Sequence, residues 1–220
     1  MTPITFWFDP ISPYAYLAFE RLPEALEGCS YAVSYRPVLF AGLLKHWGQL
    51  GPAEFAPKRD WTYRQALWLG HRQGTALQLP AAHPFNPLAL LRLLMACGSE
   101  GMQPNRLQCE RVLRYVWQGG AAVDDAARLA ELSASLQPRG DQQSEPVKRA
   151  LRDNTETAIA HGVFGVPTLE LPGRRADDAP RIFWGADALD MVAACMRGDP
   201  WFESSWDGTA ALPSAAQRRR

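Results

Sequence analysis

The first 38 residues constrain the fold more than any other part of the chain, because they follow a strand, helix and strand pattern. Residues 2–8 (TPITFWF) are apolar and rich in aromatic and β-branched side chains, which predicts a buried strand. Apolar residues at helical spacing predict a helix over 14–26, and Gly28 ends it. Residues 31–38 (YAVSYRPV) predict a second strand. A β-α-β unit implies parallel strands joined by a right-handed crossover.

The middle of the chain is predicted to be helical. A proline-punctuated loop comes first, and apolar residues at helical spacing follow it with no convincing strand between them. The predicted helices cover 60–71, about 86–98, 106–117, 124–136 and 145–160.

The end of the chain returns to strand patterns, in GVFGVPTLEL and RIFWG, before a closing helix over 186–196. Strands at both ends and helices between them predict an α/β fold with an inserted all-helical lobe. The α/β domain comprises residues 1–40 and 160–198, and the helical lobe comprises residues 41–159. Residues 199–220 lack periodicity, which predicts a flexible tail.

Composition argues against several classes of function. The 220 residues include 23 basic and 23 acidic ones, so the chain lacks the positive surface that nucleic acid or an anionic membrane attracts. Neither a secretory signal nor an apolar run of membrane-spanning length is visible. The cysteines at 29, 97, 109 and 195 are far apart, and no two histidines have ligand spacing, so no metal site is predicted. We expect a cytoplasmic protein without nucleic-acid or membrane partners.

Ser12 and Pro13 mark the start of the first predicted helix. Serine caps free backbone N–H groups and proline suits the first helical position, so capping worth about 1 kcal/mol explains the pair by itself. A helix N-terminus also stabilises an anion, and it lowers the pKa of a thiol held there. A serine hydroxyl at this place is able to donate a hydrogen bond to a thiolate that belongs to a ligand. Both interpretations remain open at the level of the sequence.

Gly165, Val166, Pro167 and Thr168 stand where the chain re-enters the α/β domain. In this topology the segment faces the N-terminus of the first helix. A trans proline that opens a strand is the common case, because only about 5–6% of X-Pro bonds in folded proteins are cis. A cis bond would leave the backbone N–H and C=O of Val166 free to pair with an extended peptide. A glutathione-like tripeptide is such a ligand.

The segments FDPISPYAYLA, HPFNPLALLRL, NTETAIAHGVFGVPT and FWGADAL together resemble a known family. Over residues 4–197 the chain is similar to the DsbA-like branch of thioredoxin folds, with Ser-Pro in place of Cys-Pro. More narrowly, it resembles the 2-hydroxychromene-2-carboxylate isomerases and the related kappa-class glutathione transferases. The resemblance implies a thioredoxin-like (DsbA-type) domain with the helical lobe inserted, glutathione as cofactor or co-substrate, and a homodimer.

The resemblance also implies roles for individual residues. Ser12 becomes the catalytic residue beside the glutathione sulfur, while Val166 and Pro167 hold the peptide backbone of glutathione. The remaining glutathione-binding residues follow the proline-rich loop or the last strand, and they are Gln49, Lys58, Ala186 and Asp187.

The site after the last strand departs from the family pattern. The family often has an amide or hydroxyl side chain and an arginine where this chain has Ala186 and Ala188, which indicates either weaker contacts with glutathione or a different cofactor or substrate. Asp187 has a second interpretation, as the N-cap of the last helix.

The reaction that the resemblance implies interconverts 2-hydroxychromene-2-carboxylate and its open trans-o-hydroxybenzylidenepyruvate form. A thiolate adds to the conjugated alkene, the resulting single bond rotates, and the thiolate is expelled. Candidates for the walls of an aromatic substrate pocket are Tyr14, Trp47, Trp61 and Trp184, although tryptophan is more often used in a core. Two alternatives remain, which are a kappa-like transferase that conjugates glutathione to an electrophile and a non-catalytic glutathione- or peptide-binding module.

Overall fold

The structure, a computed structural model, describes residues 1–98, 103–175, 177–204 and 206. The elements in chain order are β1 (Thr2–Phe8), α1 (Pro13–Ala25), β2 (Tyr31–Pro37), α2 (Phe40–Trp47), α3 (Ala56–Gln73), α4 (Leu88–Cys97), α5 (Arg106–Trp117), α6 (Ala126–Leu136), α7 (Glu145–Ala160), β3 (Thr168–Leu171), β4 (Arg181–Trp184), α8 (Leu189–Met196) and α9 (Trp201–Ser204). Short 3-10 turns cover Pro52–Glu54 and Ala186–Ala188. The predicted α/β fold with a helical insertion is confirmed. None of the described helices is long and apolar enough to cross a membrane.

A mixed sheet with the strand order β2-β1-β3-β4 forms the centre of the fold. Strands β1 and β2 are parallel, as the β-α-β pattern predicts, whereas β3 runs antiparallel to both β1 and β4. Trp7 near the end of β1 pairs with Thr168 at the start of β3, which pairs with Trp184 at the end of β4. The loops after β1, before β3 and after β4 therefore lie at the same edge of the sheet.

The two faces of β1 bury different side chains, as the two-residue period of a strand requires. Phe6 and Phe8 pack in one large cluster with α1, α8 and the lobe helices α4, α5 and α6. Trp7 lies on the other face, where it packs with Leu43 of α2 and Ala158 of α7. The helical lobe thus shares the main hydrophobic core with the sheet, and its predicted boundaries stay a prediction.

Helix α2 is absent from the sequence prediction, which contains no element between the second strand and the helix at 60. Two distant side chains satisfy its first free N–H groups. The amide of Phe40 donates to Asp9 Oδ2 at 2.9 Å, and the amide of Leu39 donates to Thr155 Oγ1 at 3.1 Å. Helix α3 also begins earlier than predicted, at Ala56. Both differences lie between β2 and the helix predicted over 60–71.

The predicted tail begins with a short helix, α9, that packs on the sheet. Phe202 is buried, and its ring lies 6.0 Å from that of Phe183 in β4. The ring of Trp206 lies 4.9 Å from the same phenylalanine. Residues 205 and 207–220 of the predicted tail lie outside the described residues.

Candidate active site

Ser12 lies in the loop between β1 and α1 and is the N-cap of α1, directly before Pro13. Its Oγ accepts a hydrogen bond from the amide of Ala15 at 3.2 Å. The same hydroxyl donates to the backbone carbonyl of Val166 at 3.3 Å. Ser12 is 7% exposed. The capping interpretation is therefore correct, and the hydroxyl additionally connects the helix N-terminus with the segment before β3.

The peptide bond between Val166 and Pro167 is cis. Neighbouring groups hold this segment in place, because Thr168 Oγ1 donates to the carbonyl of Gly165 at 2.7 Å and the amide of Gly185 donates to the carbonyl of Pro167 at 3.0 Å. In the described part of the chain the amide of Val166 donates no hydrogen bond, whereas its carbonyl accepts one from Ser12. The sequence predicts that both groups are free, and only the amide is.

Asp187 lies in the 3-10 turn after β4, beside Ala186, and its side chain is exposed. The N-cap of α8 is Ala188, which makes no side-chain capping bond, so the interpretation of Asp187 as the cap of the last helix is wrong. Gly185 has a φ of 104°, and the carboxylate of Asp187 lies against its Cα, where any larger residue would place its Cβ. Only glycine suits this position. Ala186 is buried and offers its backbone alone.

Tyr14 lies between α3 and the turn that contains Asp187. Its hydroxyl donates to Gln65 Oε1 at 2.7 Å. Burial raises the pKa of Tyr14; a hydrogen bond with the Thr62 side chain lowers it, and the negative charge of Asp187 raises it further. Tyr14 is thus held by polar contacts at the site, rather than forming a purely apolar wall.

Lys58 and Gln49 are both exposed. Gln49 lies between α2 and α3, and Lys58 lies at the start of α3. Lys58 stands in the first turn of α3, and among the described residues it makes no ion pair and no side-chain hydrogen bond. Seven residues separate it from Gln65, which corresponds to about 10 Å along the helix axis. Gln49 follows α2, where its amide donates to the carbonyl of Leu44 at 2.9 Å. Neither side chain contacts Ser12 in this structure.

Exposed aromatic side chains line the segment before the cis-proline. Trp184 is 54% exposed, and its indole covers Gly165, where a Cβ would lie 2.5 Å from Nε1. The ring of Phe164 lies 5.0 Å from that of Trp184. Trp47 Nε1 donates to the carbonyl of Val163 at 2.9 Å. The structure therefore places Trp47 and Trp184 beside residues 163–165, directly before Val166, together with Phe164, which sequence reasoning missed.

Three further residues absent from the sequence prediction hold the loop from Asp9 to Ser12. Asp9 is fully buried, and its carboxylate accepts hydrogen bonds from the amides of Ile11 at 3.0 Å and of Phe40 at 2.9 Å. Desolvation raises the pKa of this carboxyl to about 7, although the two hydrogen bonds lower it. Trp117 and His83 donate to carbonyls of the same loop. The Asp9-Pro10 pair after a strand indicates a turn in the sequence. No local pattern indicates that Trp117 and His83 bond to the carbonyls of this loop.

No cysteine of this chain lies in the site. Cys97, Cys109 and Cys195 are buried and Cys29 is half-buried, and all four are free thiols. Burial raises the pKa of Cys97 to about 11 and that of Cys109 well above its ordinary value. A thiolate is the reactive form of cysteine, so these buried thiols are inert at neutral pH. A thiol at the N-terminus of α1 has to come from a ligand.

A family model for the DSBA-like thioredoxin domain matches residues 3–197. The chain belongs to this family. A solved structure of a selenomethionine 2-hydroxychromene-2-carboxylate isomerase has the same fold, with a TM-score of 0.73 and 24% identity over 96% of this chain and all of that one. The DsbA-type thioredoxin fold expected from the sequence is thus confirmed.

Curated relatives of this DSBA-like protein are enzymes of two kinds. Glutathione S-transferase kappa 2 of Caenorhabditis elegans is 26% identical, over 86% of this chain and 89% of the relative. A 2-hydroxychromene-2-carboxylate isomerase of Pseudomonas sp. (strain C18) is 25% identical, over 90% and 91% of the two chains. The resemblance to these two groups is confirmed.

Proposed function

We propose that this DSBA-like protein is a glutathione-dependent isomerase of aromatic catabolites of the 2-hydroxychromene-2-carboxylate type. The observation that carries the proposal is the Ser12 hydroxyl, which lies at the N-terminus of α1 and 3.3 Å from the carbonyl of Val166. This is a site for a thiol ligand in a protein whose own thiols lie elsewhere. When bound, glutathione supplies the thiolate that adds to a conjugated alkene and leaves after the bond has rotated.

Ser12 and the N-terminus of α1 favour the ionised form of a bound thiol. The helix N-terminus carries about half a positive charge, which stabilises an anion placed there. The hydroxyl of Ser12 donates to Val166 in this structure, and it is able to rotate toward a sulfur anion instead. Hydrogen bonds to charged groups contribute about 1.5–3 kcal/mol, so the exchange favours the thiolate.

The donor set fits the remaining parts of glutathione. The amide of Val166 donates no hydrogen bond within the described chain, so it is available for the peptide backbone of an extended tripeptide. Asp187 presents an exposed carboxylate for the γ-glutamyl ammonium group. Lys58 presents an exposed ammonium without an ionic partner in the described chain, and it suits a carboxylate of the ligand. Gln49 is the further polar group on this segment.

Aromatic side chains next to Val166 suit a planar, apolar substrate. Trp184 and Phe164 form an exposed pair beside the backbone that binds the peptide. Such rings bind an aromatic substrate through stacked or edge contacts. Tyr14 lies near Asp187, and its hydroxyl donates to Gln65 Oε1 of α3.

A kappa-like glutathione transferase is the second candidate, because a kappa transferase is among the relatives with 26% identity. It would use the same Ser12, Val166 and Asp187. The two reactions differ in the fate of glutathione, which is regenerated in the isomerisation and consumed in the conjugation.

Turnover with and without glutathione tests the proposal. We expect isomerisation of 2-hydroxychromene-2-carboxylate at substoichiometric glutathione, with the concentration of free thiol unchanged at the end of the reaction. Loss of thiol in proportion to product would favour the transferase. If the protein is neither the isomerase nor the transferase, calorimetry is expected to show no heat of glutathione binding and the assay is expected to show no isomerisation.

Ser12→Ala separates thiol activation from capping. Loss of one hydrogen bond to an anion is expected to lower kcat/KM by about 10- to 100-fold. Asp125→Ala is the matched control, since Asp125 is also an N-cap whose side chain accepts a backbone amide, that of Arg128 at 2.9 Å, but it lies at α6. A Ser12→Ala variant with the activity of the Asp125→Ala variant would contradict the role of the hydroxyl.

A further inference from the structure

Two carbonyls of the loop from Asp9 to Ser12 are held by side chains of the helical lobe. The carbonyl of Pro10 accepts a hydrogen bond from Trp117 Nε1 at 2.9 Å, and the carbonyl of Ile11 accepts one from His83 Nε2 at 2.8 Å. His83 belongs to the HPFNP segment, for which the proposed function has no role. The carbonyl that accepts its hydrogen bond belongs to the peptide unit that joins Ile11 to Ser12.

The hydrogen bonds of His83 define its tautomer. A carbonyl only accepts, so Nε2 carries the hydrogen that faces Ile11. Nδ1 lies 2.8 Å from the hydroxyl of Tyr63, which lies 2.9 Å from the backbone carbonyl of His83 as well. Burial lowers the pKa of His83, although the bond to Ile11 opposes this effect, so the neutral ring is favoured. In the neutral ring Nδ1 is an acceptor, so the single hydroxyl hydrogen of Tyr63 is shared between Nδ1 and the carbonyl of His83.

Aromatic rings on three sides keep the imidazole in this orientation. The centroids of the Tyr63, Trp117 and Phe85 rings lie 5.4, 5.6 and 5.7 Å from that of His83. A rotation of the imidazole would break both of its bonds and leave the carbonyl of Ile11 without a donor. Because this carbonyl is half-buried, water replaces the lost donor only in part, and the bond to His83 therefore favours one orientation of the ring.

We propose that His83 is a positioning residue for Ser12, and that Tyr63 keeps its imidazole in the tautomer that holds the carbonyl of Ile11. The orientation of this peptide unit determines where the Ser12 side chain points, and hence its distance to Val166 and to a bound sulfur. Tyr63 belongs to α3, the helix that also presents Lys58 and Gln65. The significance for catalysis rests on the proposed function, whereas the positioning itself does not.

The thiol of a Ser12→Cys variant reports on the position of residue 12 without any glutathione. Its alkylation by iodoacetamide at pH 6.5 measures how well the N-terminus of α1 stabilises a thiolate. In this background, His83→Phe removes the donor to Ile11 and is expected to slow alkylation about three- to tenfold. His83→Gln keeps an N–H donor and is expected to restore the rate to within about twofold. His71→Phe, on the exposed side of α3, is the matched control and should leave the rate unchanged.

Equal alkylation rates in the Phe and control variants would overturn the proposal, and so would a Gln variant as slow as the Phe variant. If His83→Phe does not fold, by its circular dichroism, Tyr63→Phe decides. This change removes only a hydroxyl, and a fall of about two- to threefold in the alkylation rate supports the proposal. An unchanged rate refutes it. Because the readout needs no cofactor, a chain that fails to bind glutathione but shows these shifts would refute the proposed function alone.

Discussion

Asp9 is expected to make the stability of this protein depend on pH in an unusual direction. Its carboxyl is fully buried, and its pKa is raised from 3.8 to about 7, mainly by desolvation. The folded state therefore holds the proton that the unfolded chain releases near pH 4. Stability contributed by this group is present below pH 4 and falls as the pH rises toward 7, by about 1.4 kcal/mol per unit. The full difference amounts to about 4 kcal/mol.

Asp9→Asn removes the titration but keeps the shape of the side chain. Urea unfolding of both proteins at pH 4.5, 5.5, 6.5 and 7.5, followed by circular dichroism, measures the free energy of unfolding. The advantage of the wild type over the variant is expected to shrink by about 3 kcal/mol across this range. Asp190→Asn is the matched control, because its carboxylate is 75% exposed and pairs with Arg21 only at the surface. A difference between wild type and Asp9→Asn that stays constant from pH 4.5 to 7.5 would refute the reasoning.

Four other changes test separate parts of the structure. Gly165→Ala would place a Cβ 2.5 Å from Trp184 Nε1, so we expect altered tryptophan fluorescence and weaker glutathione binding; an unchanged spectrum would contradict the packing. Trp117→Phe should lower the free energy of unfolding by about 2–3 kcal/mol through a lost donor and a small cavity, and a loss below about 1 kcal/mol would argue against it. Asp187→Ala should raise the glutathione concentration for half-maximal rate more than it lowers the saturated rate; the reverse would remove Asp187 from binding. Asn105→Ala removes the N-cap of α5 and should cost about 1 kcal/mol in a urea titration, where no change would exclude the cap.

Local periodicity was sufficient to predict the framework of the fold. The apolar, β-branched and aromatic run of β1, the spacing in α1 and the strand pattern after Pro167 are properties of short stretches, and the parallel β1-β2 pair follows from them. The cap formed by Ser12 is equally local, because a serine followed by proline has the same meaning at any helix start. The position of Val166 near Ser12 was predictable from topology, since both loops leave one edge of the sheet.

The missed features depend on partners that are far away in the sequence. Helix α2 has eight residues and no local side-chain N-cap, and its first amides are satisfied by Asp9 and by Thr155. A helix this short has little intrinsic stability and depends on tertiary contacts, so a local sequence pattern does not predict it. His83 and Trp117 bond to backbone carbonyls 72 and 107 residues away. Every residue has a backbone carbonyl, so the sequence shows which side chains are donors but not which carbonyls accept their hydrogen bonds.

The continuous core between sheet and helices limits how this chain can be shortened. A truncated protein in which residue 40 is joined to residue 160 would uncover Phe6 and Phe8 and deprive the carbonyls of Pro10 and Ile11 of their donors. Such a minimal sheet domain is expected to aggregate rather than fold. Variants intended to keep the core intact should therefore change exposed side chains of α3 and leave the helical segment in place, since its side chains hold the first loop.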